Sequence, residues 1–222
     1  MASIPPHKDV LKHLVDYYTA SFKRLSNVRL VLGQEVTAEE VIKRNPDAVV
    51  LATGAEGFIP GASGTESDNQ MTAHQVLSGQ RTTGEVVIVV GGGSIGCEVA
   101  NFLAQQGKRV TVMEMLDSVA MDIHSMVRVG LLEELDKYGV KILTGVTFET
   151  LTKDGVEAVD RESRKVRFKA DTIVFAIGAR AKDELAKDLK GKVKELHIIG
   201  DAKQPRSIRD AVSEGYITGY NI

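Results

Sequence analysis

The sequence predicts an α/β fold built on a parallel, doubly wound sheet. Three observations carry that prediction. Apolar strand-like runs alternate with helical patterns from residue 85 onward, and one such strand runs straight into a glycine-rich turn at 91–96. The third is an internal repeat: "VVLATGA" (49–55) and "IVFAIGA" (173–179) are both buried strands ending on a small residue and glycine, which implies two related domains closing on the same turn.

Residues 8–25 place Val10, Leu11, Leu14, Val15, Tyr18, Phe22 and Leu25 at helical spacing, with Lys8, Lys12, Asp16 and Lys23 between them, so an amphipathic helix is expected there. "VRLVL" (28–32) reads as a strand, "TAEEVIKR" (37–44) as a short helix capped by Thr37, and "DAVVLATG" (47–54) as a buried strand. "AEGFIPGASGTESDN" (55–69), rich in Gly and Ser, reads as a connection between two units. Strand 85–90, helix 94–106 and strand 109–115 then form a βαβ unit, which a helix at 125–138 and a strand at 140–145 extend. Three short alternating runs, near "TFETLT", "GVEAVD" and "KVRFKA", are spaced as an antiparallel meander. Strand 171–180, strand 195–199 and helix 206–219 complete the chain.

Composition narrows the function. With 43% hydrophobic and 26% charged residues the chain is an ordinary globular protein, and 222 residues suffice for one large or two small domains. A net charge of -2 with dispersed Lys and Arg gives no basis for binding nucleic acid or an anionic membrane. The single cysteine, Cys97, excludes an internal disulfide, a Cys-x-x-Cys redox pair and a cysteine cage for a metal, and points to a reducing, cytoplasmic setting. The opening "MASIPPHKDVLKHL" has no apolar h-region, and the apolar run Val86–Val90 is too short to cross a bilayer, so no membrane is expected. The five histidines show no ligand spacing, and no metal site is expected.

Gly91, Gly93 and Gly96 fit G-x-G-x-x-G directly after a strand and at the opening of a helix, within "VVIVVGGGSIGCEVA". Gly91 permits the tight turn, Gly93 lets a pyrophosphate approach the backbone, and Gly96 lets helix and strand pack closely. The helix N-terminus then favours the ligand's negative charge. Glu114, at the end of the second strand, stands roughly ~20 residues on, where an acid accepting hydrogen bonds from the adenosine ribose belongs. The following "MLDS" holds no Lys or Arg to meet a 2′-phosphate, so NADH is favoured over NADPH. A solvated strand-end acid is the alternative for Glu114. Cys97 reads as a packed small hydrophobe, with a reactive thiol at a helix N-terminus as the alternative. Glu98 either faces the cofactor or serves as a first-turn partner of the helix dipole.

These motifs, with "LATGA", "AIGARA" and "IIGDAKQPRSIRDAVSEGY", resemble the C-terminal region of the old-yellow-enzyme-like NADH:flavin oxidoreductases that include 2,4-dienoyl-CoA reductase and trimethylamine dehydrogenase. The resemblance begins at "IPPHKDVLKHLVDYY" and covers nearly the whole chain. It implies a pyridine nucleotide-disulfide oxidoreductase-like flavoprotein arrangement: a Rossmann-like NAD-binding domain with a three-stranded antiparallel meander, inserted in an incomplete FAD-type α/β domain. The segments would be 1–83 and 181–222 for the FAD-type domain and 84–180 for the NAD-binding domain. The family's first glycine fingerprint and its FMN/iron–sulfur barrel have no counterpart in these residues, so a domain fragment is expected, with the barrel as its partner in one polypeptide and a homodimer as a further way to cover an exposed sheet edge.

For NAD(H) the resemblance implies Gly91, Gly92, Gly93, Ser94, Ile95 and Gly96 at the phosphates, Glu114 and Met115 at the adenosine, Glu98 near the nicotinamide, and Gly178 closing the pocket. For FAD it implies Thr53, Gly54 and Asp201; read from the residues alone, Asp201 could equally cap the helix that follows. The expected function is a pyridine-nucleotide-binding fragment that passes hydride from NADH to a flavin in the parent oxidoreductase, with the isolated chain weakly active or inactive. The alternative is a non-catalytic ADP- or NAD-binding structural module. The organic substrate is left open.

Overall fold

The computed structural model describes residues 2–60 and 69–222. In chain order its elements are α1 (Lys12–Arg24, after a 3₁₀ turn at Asp9–Leu11), α2 (Ala38–Arg44), β1 (Val49–Leu51), β2 (Ala55–Gly57), β3 (Gln70–Thr72), α3 (Ala73–Leu77), β4 (Val86–Val90), α4 (Ser94–Gln105), β5 (Arg109–Glu114), α5 (Ser125–Lys137), β6 (Lys141–Thr144), β7 (Thr147–Thr152), β8 (Gly155–Val159), β9 (Lys165–Lys169), β10 (Thr172–Phe175), β11 (Ala179–Ala181), α6 (Glu184–Leu189), β12 (Leu196–Ile198) and α7 (Ile208–Asn221). They fall into two compact units: Met1–Ser21 with Gly57–Gly178, and Phe22–Glu56 with Ala179–Ile222.

The first unit is organised by a five-stranded sheet of order β3-β10-β4-β5-β6, parallel throughout. β4 reads "VVIVV", a β-branched run with no polar alternation, as suits a strand covered on both faces. Successive side chains leave a strand on opposite faces, and the core divides accordingly. Val87, Val89, Val112 and Val174 pack with Val76, Ala100, Leu103 and Leu135 of the helices. Ile88, Val90, Met113, Ile173 and Phe175 pack with Val156 and Ala158 of β8 and with Phe148 of β7. The β7-β8-β9 meander is antiparallel, and Phe148 meets Phe175 edge-to-face at 5.3 Å between ring centroids. The entry to β10 is fixed by Asp171, whose carboxylate accepts the N–H groups of Glu85 (3.1 Å) and Val86 (2.8 Å).

The second unit contains the parallel pair β1 and β12, with Val49, Val50 and Leu51 opposite Leu196, His197 and Ile198. Its core cluster is Leu51, Ala186 and Leu189, flanked by Val41, Val49, Leu185 and Leu196. Thr37 caps α2 as expected, in a reciprocal box with Glu40, and Asn45 ends it in the left-handed region (φ 46°). β2 pairs with β11 in a two-stranded sheet.

The α/β class, the parallel sheet and the three-stranded meander are as expected. Several elements differ. "VRLVL" (28–32) forms no strand: it lies exposed, Leu32 to 78%, and without a ladder partner its β-branched residues have no sheet to join. The helix expected over 8–25 is an α-helix at Lys12–Arg24 with none of its residues buried. The strand expected over 171–180 breaks after Phe175 and resumes as β11. β2, β3, α3 and α6 were not expected, β2 forming within the stretch read as a connection; β2, β3 and α3 are three, three and five residues long, too short for a periodic signal. Residues 61–68 of the expected connection lie outside the described residues.

Leu135 is fully buried between α5 and the sheet. Leu135→Ala should lower the unfolding free energy by about 2–5 kcal/mol in urea titrations; a loss below about 1 kcal/mol would show that this face of the core is not closely packed.

Candidate functional site

Of the four glycines at the junction of β4 and α4, three have different reasons for being glycine. Gly91 has φ 102°, and a Cβ there would stand 2.6 Å from the Ala176 carbonyl oxygen. A Cβ on Gly96 would overlap the carbonyl of Gly91, so any side chain prevents α4 from seating on the end of β4. Gly93 is otherwise. As the N-cap of α4 it has φ -64° and ψ 178°, which any residue adopts, and the nearest atoms to a Cβ would be the Asp122 carboxylate oxygens at 3.8 Å. The protein itself tolerates a side chain at 93; what glycine preserves there is the approach to the helix N-terminus.

Gly92 links this turn to the next strand. Its N–H donates to Glu114 Oε2 (2.6 Å) and its carbonyl accepts from the Ala120 N–H (2.7 Å). Glu114 Oε1 accepts the Leu116 N–H (2.8 Å), and the residue is only 9% exposed. The alternative of a solvated strand-end acid is therefore excluded. Each oxygen still has a second lone pair. Met115 beside it is exposed, as is Ile95 in the first turn of α4.

Ser94, the first residue of α4, donates both its N–H (2.8 Å) and its Oγ–H (2.6 Å) to the Asp122 carboxylate. Sequence reasoning missed Asp122, because nothing in the loop before α5 marks it. It missed Lys8 as well: Lys8 Nζ pairs with Glu98 Oε1 across 90 positions of sequence. Glu98 is thus held by a cation, not simply by the helix dipole. Gly178 has φ 110° with open space where a Cβ would be, so backbone conformation alone accounts for glycine.

Cys97 is fully buried, and its Sγ donates to the Gly92 carbonyl oxygen (3.4 Å). Burial pushes the thiol up to about 12 from 9.0, with the Asp122 and Glu114 carboxylates adding to the shift. At this helix N-terminus desolvation outweighs the dipole, and the reactive-thiol alternative fails.

In the second unit, Thr53 Oγ1 donates to the Lys182 carbonyl (2.8 Å), and Gly54, at φ 76°, accepts the Lys182 N–H (3.0 Å). Asp201 Oδ1 accepts the Arg206 N–H (3.0 Å), while α7 is capped by Ser207 in a box with Asp210. Asp201 therefore organises the loop ahead of the helix and is not its cap. Glu214 accepts the Gly200 N–H (2.7 Å) and pairs with Arg206, which holds its carboxyl below the usual range. Among the described residues no group of acids, histidines or cysteine could hold a metal ion, and no helix is long and apolar enough to cross a membrane.

A parallel sheet with a tight glycine turn, a helix N-terminus and a buried strand-end carboxylate at its carboxyl edge defines a dinucleotide-binding α/β protein. The chain belongs to the pyridine nucleotide-disulphide oxidoreductase family, whose profile matches residues 5–213. It is 35% identical to a bilirubin reductase of Mediterraneibacter gnavus, over 98% of this chain and 34% of that protein. It is likewise 35% identical to an NADH oxidase of Thermoanaerobacter brockii, over 100% of this chain and 35% of that protein. A solved 2-naphthoyl-CoA reductase superposes with a TM-score of 0.93 at 29% identity, covering 100% of this chain and 34% of its own. The chain thus spans about a third of the length of these relatives. The resemblance to the C-terminal region of the old-yellow-enzyme-like oxidoreductases is borne out, and membership carries NAD(H) and FAD as cofactors.

The residues present fit the first of these better than the second. Gly93 puts no side chain in front of the helix N-terminus, where Ser94 is held by the Asp122 carboxylate, and Glu114 stands at the neighbouring strand end. The second unit contains no strand-glycine-helix fingerprint, and the contacts of Thr53, Gly54 and Asp201 described above are all to its own backbone.

Two glycine substitutions separate fold from site. Gly96→Ala should reduce the yield of folded protein or lower its melting temperature, whereas Gly93→Ala should melt as wild type does; equal melting of the two would refute the packing argument. Cys97 supplies a pH test. Its folded pKa lies above the free value, so stability is full below pH 9 and falls as pH rises from about 9 toward 12, because the unfolded thiol ionises first. Cys97→Ala should flatten that decline in equilibrium unfolding, and an unchanged slope would contradict it.

Proposed function

We propose that this chain is the pyridine-nucleotide-binding part of a flavin-dependent oxidoreductase, with NADH seated on the Gly91–Gly96 turn. The observation that supports this most directly is the bond from Gly92 N–H to the buried Glu114 carboxylate, which holds the phosphate turn and the ribose acceptor in one fixed relation. On this reading the first unit is the NAD-binding domain, extended upstream of residue 84 by Met1–Ser21, β3 and α3, and the second is the remainder of a FAD-type domain. Relatives three times as long support a parent polypeptide with further domains, and a barrel carrying the substrate site is the proposed partner.

When bound, the nicotinamide supplies a hydride and a flavin receives it. The chain's own residues bind and orient. Gly91, Gly92, Gly93, Ser94, Ile95 and Gly96 form the turn and first helical residues facing the pyrophosphate, whose charge the α4 dipole favours. Glu114 accepts the ribose hydroxyls on its remaining lone pairs, beside Met115. Glu98, kept in place by Lys8, lies one turn into α4 and faces the nicotinamide end, and Gly178 borders the same site. Thr53, Gly54 and Asp201 are assigned to the flavin side of the second unit. Electrons leave through another domain, because a chain with one buried cysteine has no redox dithiol.

Fluorescence titration of the full chain with NADH tests the site. Gly93→Val and Glu114→Ala should each weaken binding at least about tenfold, the loss of one or more charge-assisted contacts; unchanged affinity in both would remove the assignment. The functional reading is tested by incubating the chain with FAD, desalting, and adding NADH without oxygen. Bleaching of a retained flavin band supports the oxidoreductase reading, whereas a flavin that stays bound and oxidised favours a structural nucleotide module.

A further inference from the structure

The four residues after Glu114 contribute no cation to the adenosine end of the site, yet the fold brings one in from elsewhere. Arg161 lies in the turn between β8 and β9, and its Nη2 donates to Thr144 Oγ1 (3.2 Å) and pairs with Asp117 Oδ1 (2.7 Å). Thr144 is the register partner of Glu114 across the β5–β6 ladder, so the guanidinium is bonded to a residue whose backbone runs one strand spacing, ~4.8 Å, from that of the ribose acceptor. The next residue, Gly145, donates its N–H to Leu116 O (3.0 Å).

The seat for this side chain is built. Gly145 has φ 65°, and a Cβ there would overlap the Nε, Cγ and Cδ of Arg161. Arg161 therefore lies across a bare backbone at the carboxyl ends of β5 and β6, the edge at which parallel sheets bind ligands. Both partners remain open to a ligand, with Arg161 55% and Asp117 83% exposed.

We propose that Arg161 is a specificity-determining residue for the adenosine end of the dinucleotide and that Asp117 masks it. The proposal rests on the reading of Gly91–Gly96 and Glu114 as the nucleotide site. With Asp117 in place the guanidinium charge is neutralised locally. Glu114 then sets the sign of the field, accepting a 2′-hydroxyl and repelling a 2′-phosphate. With Asp117 neutral, the same guanidinium becomes a planar fork able to receive a phosphate in bidentate fashion. An exposed ion pair contributes little to stability, so the pair can be altered without unfolding the chain.

The test titrates NADH and NADPH into wild type, Asp117→Asn, Arg161→Ala and the double variant, following nucleotide fluorescence at low ionic strength. Asp117→Asn should raise affinity for NADPH relative to NADH by roughly threefold to fivefold. The gain should vanish in the double variant and shrink as salt is added. An unchanged ratio in Asp117→Asn, or a gain that survives loss of Arg161, overturns the masking role while leaving NADH binding by wild type intact. A wild type that binds neither nucleotide overturns the site reading and this proposal together.

Discussion

Glu114 ends β5 with its carboxylate largely out of solvent, and the two backbone N–H groups it accepts, from Gly92 and Leu116, fix both sides of the site at once. A buried carboxylate left without such partners costs several kcal/mol, so the two bonds are obligatory for a chain with glutamate in this place. One of them sets where the glycine turn can lie, and the turn sets where α4 begins. The Gly96 contact then fixes how near that helix comes to the sheet. The placement of the turn, the helix and the strand end follows from three consecutive constraints on backbone, none of which involves a side chain reaching toward solvent.

The sheet beneath is covered unequally by design of its sequence. Helices take one face and a small antiparallel meander the other, so each strand must be apolar on both sides, which is why β4 is nearly all valine. The meander also delivers residues from distant sequence to the strand ends, Arg161 among them. By contrast the second unit has a parallel pair of three-residue strands and a small core cluster of Leu51, Ala186 and Leu189. On α7, Tyr216 and Tyr220 stack on one another with most of their surface in water.

What the sequence made legible was local. The β4 turn, the capping of α2 by Thr37 and the run of strands and helices from 85 to 145 each depend on neighbours a few positions away, and periodicity or glycine spacing reports them. The strand expected at "VRLVL" failed because strand formation needs a partner, and propensity says nothing about whether one is present. Lys8 against Glu98, Asp122 against Ser94 and Arg161 against Asp117 were invisible for the same reason in another form. Each pair joins residues brought together by the tertiary fold, and no motif spans the gap. Cys97 shows the remaining kind of difficulty: its position at a helix N-terminus is readable, but its burial decides its chemistry.

The second unit is made from two stretches of chain, and β1 reaches its partner β12 only after all of Gly57–Gly178 has been synthesised. Three ladder residues cannot offset the entropy of closing so long a disordered loop. Once the first unit has folded, the intervening chain is no longer a coil and the closure becomes short. The topology therefore favours an order of events, first unit before second, which pulse-labelled hydrogen exchange can resolve, and a ribosome that stalls before residue 196 leaves Val49, Val50 and Leu51 without their ladder partner.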